Sequence, residues 1–243
     1  MSSVAVLGLG EAGSRLAADL AAAGVEVRGY DPAREGATDP ETAVAGADVV
    51  LSVNSAAAAL GAATAALPAL RPGAVYADLN TAAPELKREL ATLVRGSGAL
   101  FADVALLGPV PARGLGTPAL ASGDGARAFA EAFGPLGMPV EVVSTEAGDA
   151  ATMKLLRSVF MKGIAAAAIE SLEGAEAAGH AEWLRHELAA VLGEPLLERL
   201  LEGSRAHAAR RTDEMEAATE LLRSLGIEPR IAAASASLLA GLS

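Results

Sequence analysis

Val4-Ala5-Val6-Leu7-Gly8-Leu9-Gly10-Glu11-Ala12-Gly13 is the stretch on which the reading of this chain turns. Four apolar residues in a row are followed by glycines at the first, third and sixth positions of a loop. A helical pattern over 12–23 comes next, so the segment reads as strand, tight turn and helix start. Each glycine has its own task. Gly8 permits the turn, Gly10 lets the backbone approach a pyrophosphate, and Gly13 allows the helix to lie against the sheet. The free N–H groups and positive dipole end of that helix favour an anion. In a chain with 26 glycines the pattern alone says little. Asp31 supplies the context. It closes the next apolar segment, 25–30, about 20 residues on, where a carboxylate accepts hydrogen bonds from ribose hydroxyls. Together these features predict a Rossmann unit holding NAD across Gly8, Leu9, Gly10, Glu11, Ala12, Gly13 and Asp31. An acid at position 31 repels a 2′-phosphate and so favours NAD, while Arg34 close by keeps NADP open.

Further strand patterns follow at 49–53, 74–79, 99–105, 119–122 and 140–143. Helical patterns lie at 56–66, 84–95 and 125–133. Short apolar strands separated by helices, with Gly or Pro at the joints, predict an α/β fold: a mostly parallel, doubly wound sheet covered on both faces. Near residue 145 the pattern changes. From 147 to 178 there is no proline, and Leu155, Leu156, Val159, Phe160, Ile164 and Ile169 continue one long helix, with Gly163 and Gly174 as its weak points. Further helices are expected at 181–192, at 195–219 with an extension toward 225, and at 230–242. The chain thus divides into a Rossmann domain, 1–145, and an all-α domain, 146–243, a reasonable split for its length.

Composition narrows the function. Hydrophobic residues make up 52% of the chain, enough for a core, while aromatics at 3% imply packing by close approach of small side chains. A net charge of −11 argues against nucleic acid or an anionic membrane as partner. The absence of cysteine excludes disulfides, thiolate metal sites and thiol catalysis. His180, His186 and His207 lack metal-ligand spacing, so no metal is expected. Neither a signal-peptide pattern nor a convincing membrane span is visible, which makes a cytoplasmic location the default expectation. Of 19 basic residues only Lys87, Lys154 and Lys162 are lysines. Where arginine is the default cation, each lysine raises a question about its position.

Two of those lysines share a helix. At about 100° per residue, Lys154, Arg157, Ser158 and Lys162 fall in one sector of the long helix, away from Leu155, Val159 and Phe160. A polar stripe there fits a cleft, in which a partly desolvated lysine can exchange a proton near neutrality. The same spacing fits snorkelling side chains on a surface helix.

The order of glycine loop, glycine-containing segment after the fifth strand, and lysine early in a long helix resembles the β-hydroxyacid dehydrogenase superfamily. That superfamily includes 3-hydroxyisobutyrate and 6-phosphogluconate dehydrogenases, and the likeness runs over essentially the whole chain. Arg205-Ala-His207-Ala-Ala-Arg210-Arg211 is similar to a helical domain of uncharacterised function in one branch of 6-phosphogluconate-dehydrogenase-like proteins. The resemblance implies a cofactor loop at 8–13, with Ala12 where methionine is usual. It places Val53 and Asn54 at the cofactor-contacting end of a strand. Asp78-Leu-Asn80-Thr81-Ala-Ala-Pro84 is similar to the motif beside the nicotinamide, and Lys154 falls on the catalytic lysine.

The resemblance also exposes departures. The substrate motif aligns with Asp103-Val-Ala-Leu-Leu107-Gly108-Pro109, so Leu107 replaces a substrate-binding serine and Pro109 a glycine. Ser158 stands for an asparagine one turn after the lysine, and Asp213-Glu214 for a Lys-Asp pair. A more apolar substrate pocket follows. Arg157, Arg113 or the His207/Arg210/Arg211 cluster could supply the missing anion contacts, though that cluster equally fits a solvated helix face. The implied activity is an NAD(P)-dependent dehydrogenase for a small hydroxyacid or another alcohol–carbonyl pair, working in a water-excluding interdomain cleft. Lys154 would be its general acid/base and Ser158 would orient the substrate oxygen. The helical domain is expected to form a homodimer. Two other readings stand beside it: a non-catalytic NAD-binding regulator, and an imine reductase on the same fold.

Overall fold

A computed structural model describes residues 1–34 and 39–242. Its contacts divide the chain into two compact units, Met1–Lys154 and Leu155–Ser243.

The first unit alternates strand and helix. In chain order the elements are β1 (Ser3–Leu7), α1 (Glu11–Ala22), β2 (Glu26–Tyr30), α2 (Pro40–Val44), β3 (Val49–Ser52), α3 (Ala56–Ala66), β4 (Val75–Asp78), α4 (Pro84–Arg95), β5 (Leu100–Leu106), α5 (Val110–Arg113), β6 (Ala119–Ser122), α6 (Ala126–Phe133) and β7 (Val140–Val142). All seven strands form one sheet in the order β2-β1-β3-β4-β5-β6-β7. Pairing is parallel except between β5 and β6. Alternation along the strands builds both faces. Val4 and Val6 of β1 join Leu16 and Leu20 of α1 and Phe129 and Phe133 of α6 on one side. Ala5 and Leu7 join Ala59 and Ala63 of α3 and Leu90 and Val94 of α4 on the other. This is the expected Rossmann-like α/β domain.

The second unit is helical. It holds most of α7 (Asp149–Ala177), then α8 (Ala181–Leu192), α9 (Glu194–Ala206), α10 (Ala208–Ser224) and α11 (Arg230–Ala240). One cluster gathers Leu155, Met215, Leu221 and Leu239; another gathers Ile169, Leu197 and Leu201.

The sequence expectations and the elements differ in three places. The helix expected over 195–219 is two helices, because the backbone at His207 turns out of the helical region (φ −131°, ψ 34°). No Gly or Pro marks that break; Arg211 braces it by donating to Ser204 Oγ at 2.6 Å. The short α2 and α5 were not anticipated, since helices of five and four residues are too short to display a period. The boundary read at 145/146 marks the end of the strand pattern, whereas the division of contacts lies within α7. Ala150 and Ala151 are buried, and their N–H groups bond to Ser122 Oγ and Asp103 Oδ2 at 3.0 Å each.

Candidate functional site

The C-terminal ends of β1, β3 and β4 lie level, with Leu7 beside Ser52 and Ser52 beside Asp78. The loops leaving this edge carry the residues expected to meet the cofactor. In open α/β sheets this edge is where ligands bind.

Gly8 sits at φ +101°, and a Cβ there would run into the Val53 carbonyl oxygen. A Cβ on Gly13 would collide with the Gly8 carbonyl. Both positions therefore require glycine on backbone grounds alone. Gly10 is different. It forms the N-cap of α1 without a side-chain capping bond, and among the described residues a Cβ there would meet nothing within 4 Å. The start of α1 thus opens onto free space, as a pyrophosphate cradle requires. Glu11 is exposed at the head of α1, and Ala12 is half-buried behind it.

Asp31 Oδ2 accepts the Leu9 N–H at 2.6 Å, and Oδ1 accepts the Ala33 N–H at 2.9 Å. The bonds from Ala33 and Leu9 hold its carboxyl below the usual range, with Arg34 adding to the effect and slight desolvation opposing it. Asp31 is therefore an anion braced against the glycine loop. Arg34 donates to Leu9 O and Ser14 Oγ, both at 2.7 Å, so the guanidinium lies over the same loop.

A polar network continues under the edge. The Val53 N–H bonds to Leu7 O at 2.8 Å. The Asn54 N–H donates to Asn80 Oδ1 at 2.7 Å, while Asn80 Nδ2 donates to Asn54 Oδ1, Ser52 Oγ and Asp78 Oδ2. Thr81 Oγ1 receives the Lys154 ammonium at 2.7 Å. The structure thus brings Lys154, at the end of the first unit, to the loop that carries Asn80 and Thr81.

Beneath them lie charges that the sequence reading did not single out as functional. Lys87 is 1% exposed, and its Nζ pairs with Asp78 Oδ1 and Asp103 Oδ1 at 3.2 Å each. Burial opposes a charged Lys87, but the two carboxylates outweigh it and raise its pKa. Burial also raises the pKa of Asp78, only partly offset by Lys87 and Asn80. A signal was available. On α4 the buried positions are 84, 87, 90, 91 and 94, so Lys87 occupies the apolar stripe of an amphipathic helix.

Of the residues aligned with the substrate motif, Leu107, Gly108 and Pro109 directly follow β5. Leu107 is half-buried against Ala105, Leu120 and Ala150, and its N–H donates to Pro118 O at 2.8 Å. Gly108 faces Arg113 and Thr117, and Pro109 is the exposed N-cap of α5.

Within the second unit, Arg157 is exposed and Ser158 is buried. The Ser158 hydroxyl, expected to orient a substrate oxygen, instead donates to Glu214 Oε1 at 2.5 Å and accepts from Lys162 at 3.2 Å. Lys162 also pairs with Glu214 at 3.0 Å. Desolvation, with help from Arg211 and Arg157, lowers the Lys162 pKa against the pull of Glu214. Sequence spacing could not reveal this, because Glu214 lies 56 residues beyond Ser158. Arg211 is turned toward α9, whereas His207 and Arg210 are exposed.

Residues 3–136 match the family described as the NAD binding domain of 6-phosphogluconate dehydrogenase, and residues 175–242 match a domain of unknown function, DUF1932. A probable 3-hydroxyisobutyrate dehydrogenase of Mycobacterium bovis is 34% identical over 123 residues, covering 45% of this chain and 42% of that protein. The chain spans between 42% and 61% of the length of the curated relatives it matches. Among solved structures, a conserved protein described as structurally similar to 3-hydroxyacid dehydrogenases has a TM-score of 0.76, with 30% identity over 99% of this chain and 96% of its own. The Mycobacterium tuberculosis 3-hydroxyisobutyrate dehydrogenase, solved with L-serine, shares the fold: TM-score 0.80, 21% identity, 99% of this chain and 93% of that one.

Proposed function

Because the chain belongs to the family of 6-phosphogluconate-dehydrogenase-type NAD-binding domains, we propose that it is an NAD(P)-dependent oxidoreductase for a small hydroxyacid or a related alcohol–carbonyl pair. The observation that carries the reading is the 2.7 Å bond from Lys154 Nζ to Thr81 Oγ1. It holds an ammonium at the sheet edge onto which the Gly8 loop also opens.

The residues present fit a dinucleotide. The start of α1 at Gly10 would take the pyrophosphate, Asp31 the adenosine ribose, and the loops at Val53–Asn54 and Asn80–Thr81 the nicotinamide half. When bound, the nicotinamide supplies or accepts the hydride. Lys154 handles the accompanying proton. As a neutral amine it takes the hydroxyl proton when an alcohol is oxidised; as an ammonium it returns that proton to the carbonyl oxygen in the reverse direction. Asp31 favours NAD over NADP because its carboxylate would face a 2′-phosphate. Leu107 supports a substrate less polar near its carboxylate end than the relatives' hydroxyacids. With its hydroxyl held by Glu214, Ser158 has a structural part in this reading.

The test is Lys154→Ala against a panel of hydroxyacids, diols and imines with both cofactors, followed by absorbance of the reduced nicotinamide. Turnover should fall about 10²–10⁴-fold, the usual worth of a positioned acid/base, while NADH affinity stays unchanged. Full turnover in the variant would remove Lys154 from the chemistry.

A further inference from the structure

Asp78 and Asp103 are direct register partners on the neighbouring parallel strands β4 and β5. Both are 0% exposed. Two carboxyl groups side by side in a sheet interior lose their hydration, and a single ammonium lies between them. Well-packed apolar residues would serve stability at least as well, so stability alone does not account for the arrangement.

What the carboxylates do with their remaining atoms is more informative. Asp78 accepts the Asn80 N–H at Oδ1 (3.1 Å) and the Asn80 side-chain amide at Oδ2 (3.0 Å). Asp103 Oδ2 accepts the Ala151 N–H in the first turn of α7 (3.0 Å) and the Ser122 hydroxyl (3.2 Å). Ser122 Oγ in turn accepts the Ala150 N–H at 3.0 Å. One carboxylate fixes the loop of Asn80 and Thr81; the other caps the helix that bears Lys154. The bond from Lys154 to Thr81 closes a ring that runs through Asn80, Asp78, Lys87, Asp103 and Ala151 and returns along α7.

We propose that Lys87 is a positioning residue for Lys154. By clamping Asp78 to Asp103 it sets the distance between the head of α7 and the Asn80–Thr81 loop, and so the place of the Lys154 amine. Lys87 itself touches neither substrate nor cofactor. The proposal rests on reading Lys154 as the proton-transfer group, but its test needs no turnover.

The chain's three lysines make the test direct. Full-length protein carrying ¹³C-labelled lysine has three Cε–Hε resonances, assigned by the signals lost in Lys154→Arg and Lys162→Arg. In Asp103→Asn one amide oxygen cannot serve both Lys87 and the Ala151 N–H. Ser122→Ala removes one hydroxyl of the ring's support while leaving both carboxylates paired, and it decides the case where Asp103→Asn does not fold. Phe129→Leu loosens the opposite face of the same sheet and touches no member of the ring. The expected result is a displaced Lys154 resonance in Asp103→Asn, a smaller displacement in Ser122→Ala, and none in Phe129→Leu, with Lys162 stationary throughout. A Lys154 resonance that keeps its wild-type position in the folded ring variants overturns the proposal, as does an equal displacement in Phe129→Leu. Failure of the functional reading would show separately, as full turnover in Lys154→Ala.

Discussion

At the scale of single residues, local demands were legible and distant partnerships were not. Gly8 and Gly13 could be read from their spacing because the positive φ of Gly8 and the approach of Gly13 to the Gly8 carbonyl are set within the loop itself. The partner of Ser158 comes from α10, beyond the reach of helix spacing, and Lys87 was noted only as a rare residue. Asp48 belongs to the same class of distant partnerships, and it carries a pH prediction. Its carboxylate accepts the Ser2 N–H at 2.5 Å, the Ser2 hydroxyl at 2.9 Å and the Ser3 N–H at 3.1 Å, and pairs with Arg71. The Ser2 N–H leads in holding its pKa at about 2 against some desolvation, compared with an ordinary value of 3.8. A depressed carboxyl contributes stability that is complete above the unfolded value and lost as pH falls through the folded one. Asp48→Asn should therefore melt below wild type near neutral pH, and the gap should close as pH drops toward 2. Thermal melts across that acid limb check it; a gap that persists at the acid end would exclude the linkage.

At the scale of elements, the strands were legible because each is a short apolar run bounded by turn residues. Strand direction was not. β6 reverses against β5 because residues 107–118 contain only the four-residue α5 and one 3-10 turn at Gly114–Gly116, too little to carry the chain back along the sheet. The link from β6 to β7 contains α6, and that pair is parallel. Among the helices, α8 stands apart: none of its residues is buried within the chain. Trp183 is 64% and Val191 81% exposed on it. We propose that α8 pairs with a second copy of the chain, within the homodimer expected of the helical domain. Light scattering after gel filtration should report a dimer for wild type and a monomer for Val191→Lys combined with Trp183→Lys. A monomeric wild-type chain would remove the proposal.

At the scale of the whole molecule, the division into a sheet unit and a helical unit was legible from the change of period near residue 145. Each unit has its own apolar clusters, and no described helix is long and apolar enough to cross a membrane. What stayed hidden was the polar interior of the sheet unit, because burial of a charge is decided by partners from several elements at once. That interior has a practical consequence. The amine of Lys87 is sealed from reagents for as long as the sheet stays closed. An acylating probe such as a succinimidyl ester should leave position 87 unmodified in native protein and mark it only in molecules whose sheet has opened. Read by peptide mass against rising urea, acylation at position 87 becomes an internal gauge of unfolding in the sheet unit. Early modification in the absence of denaturant would mean that the sheet breathes far more than its packing implies.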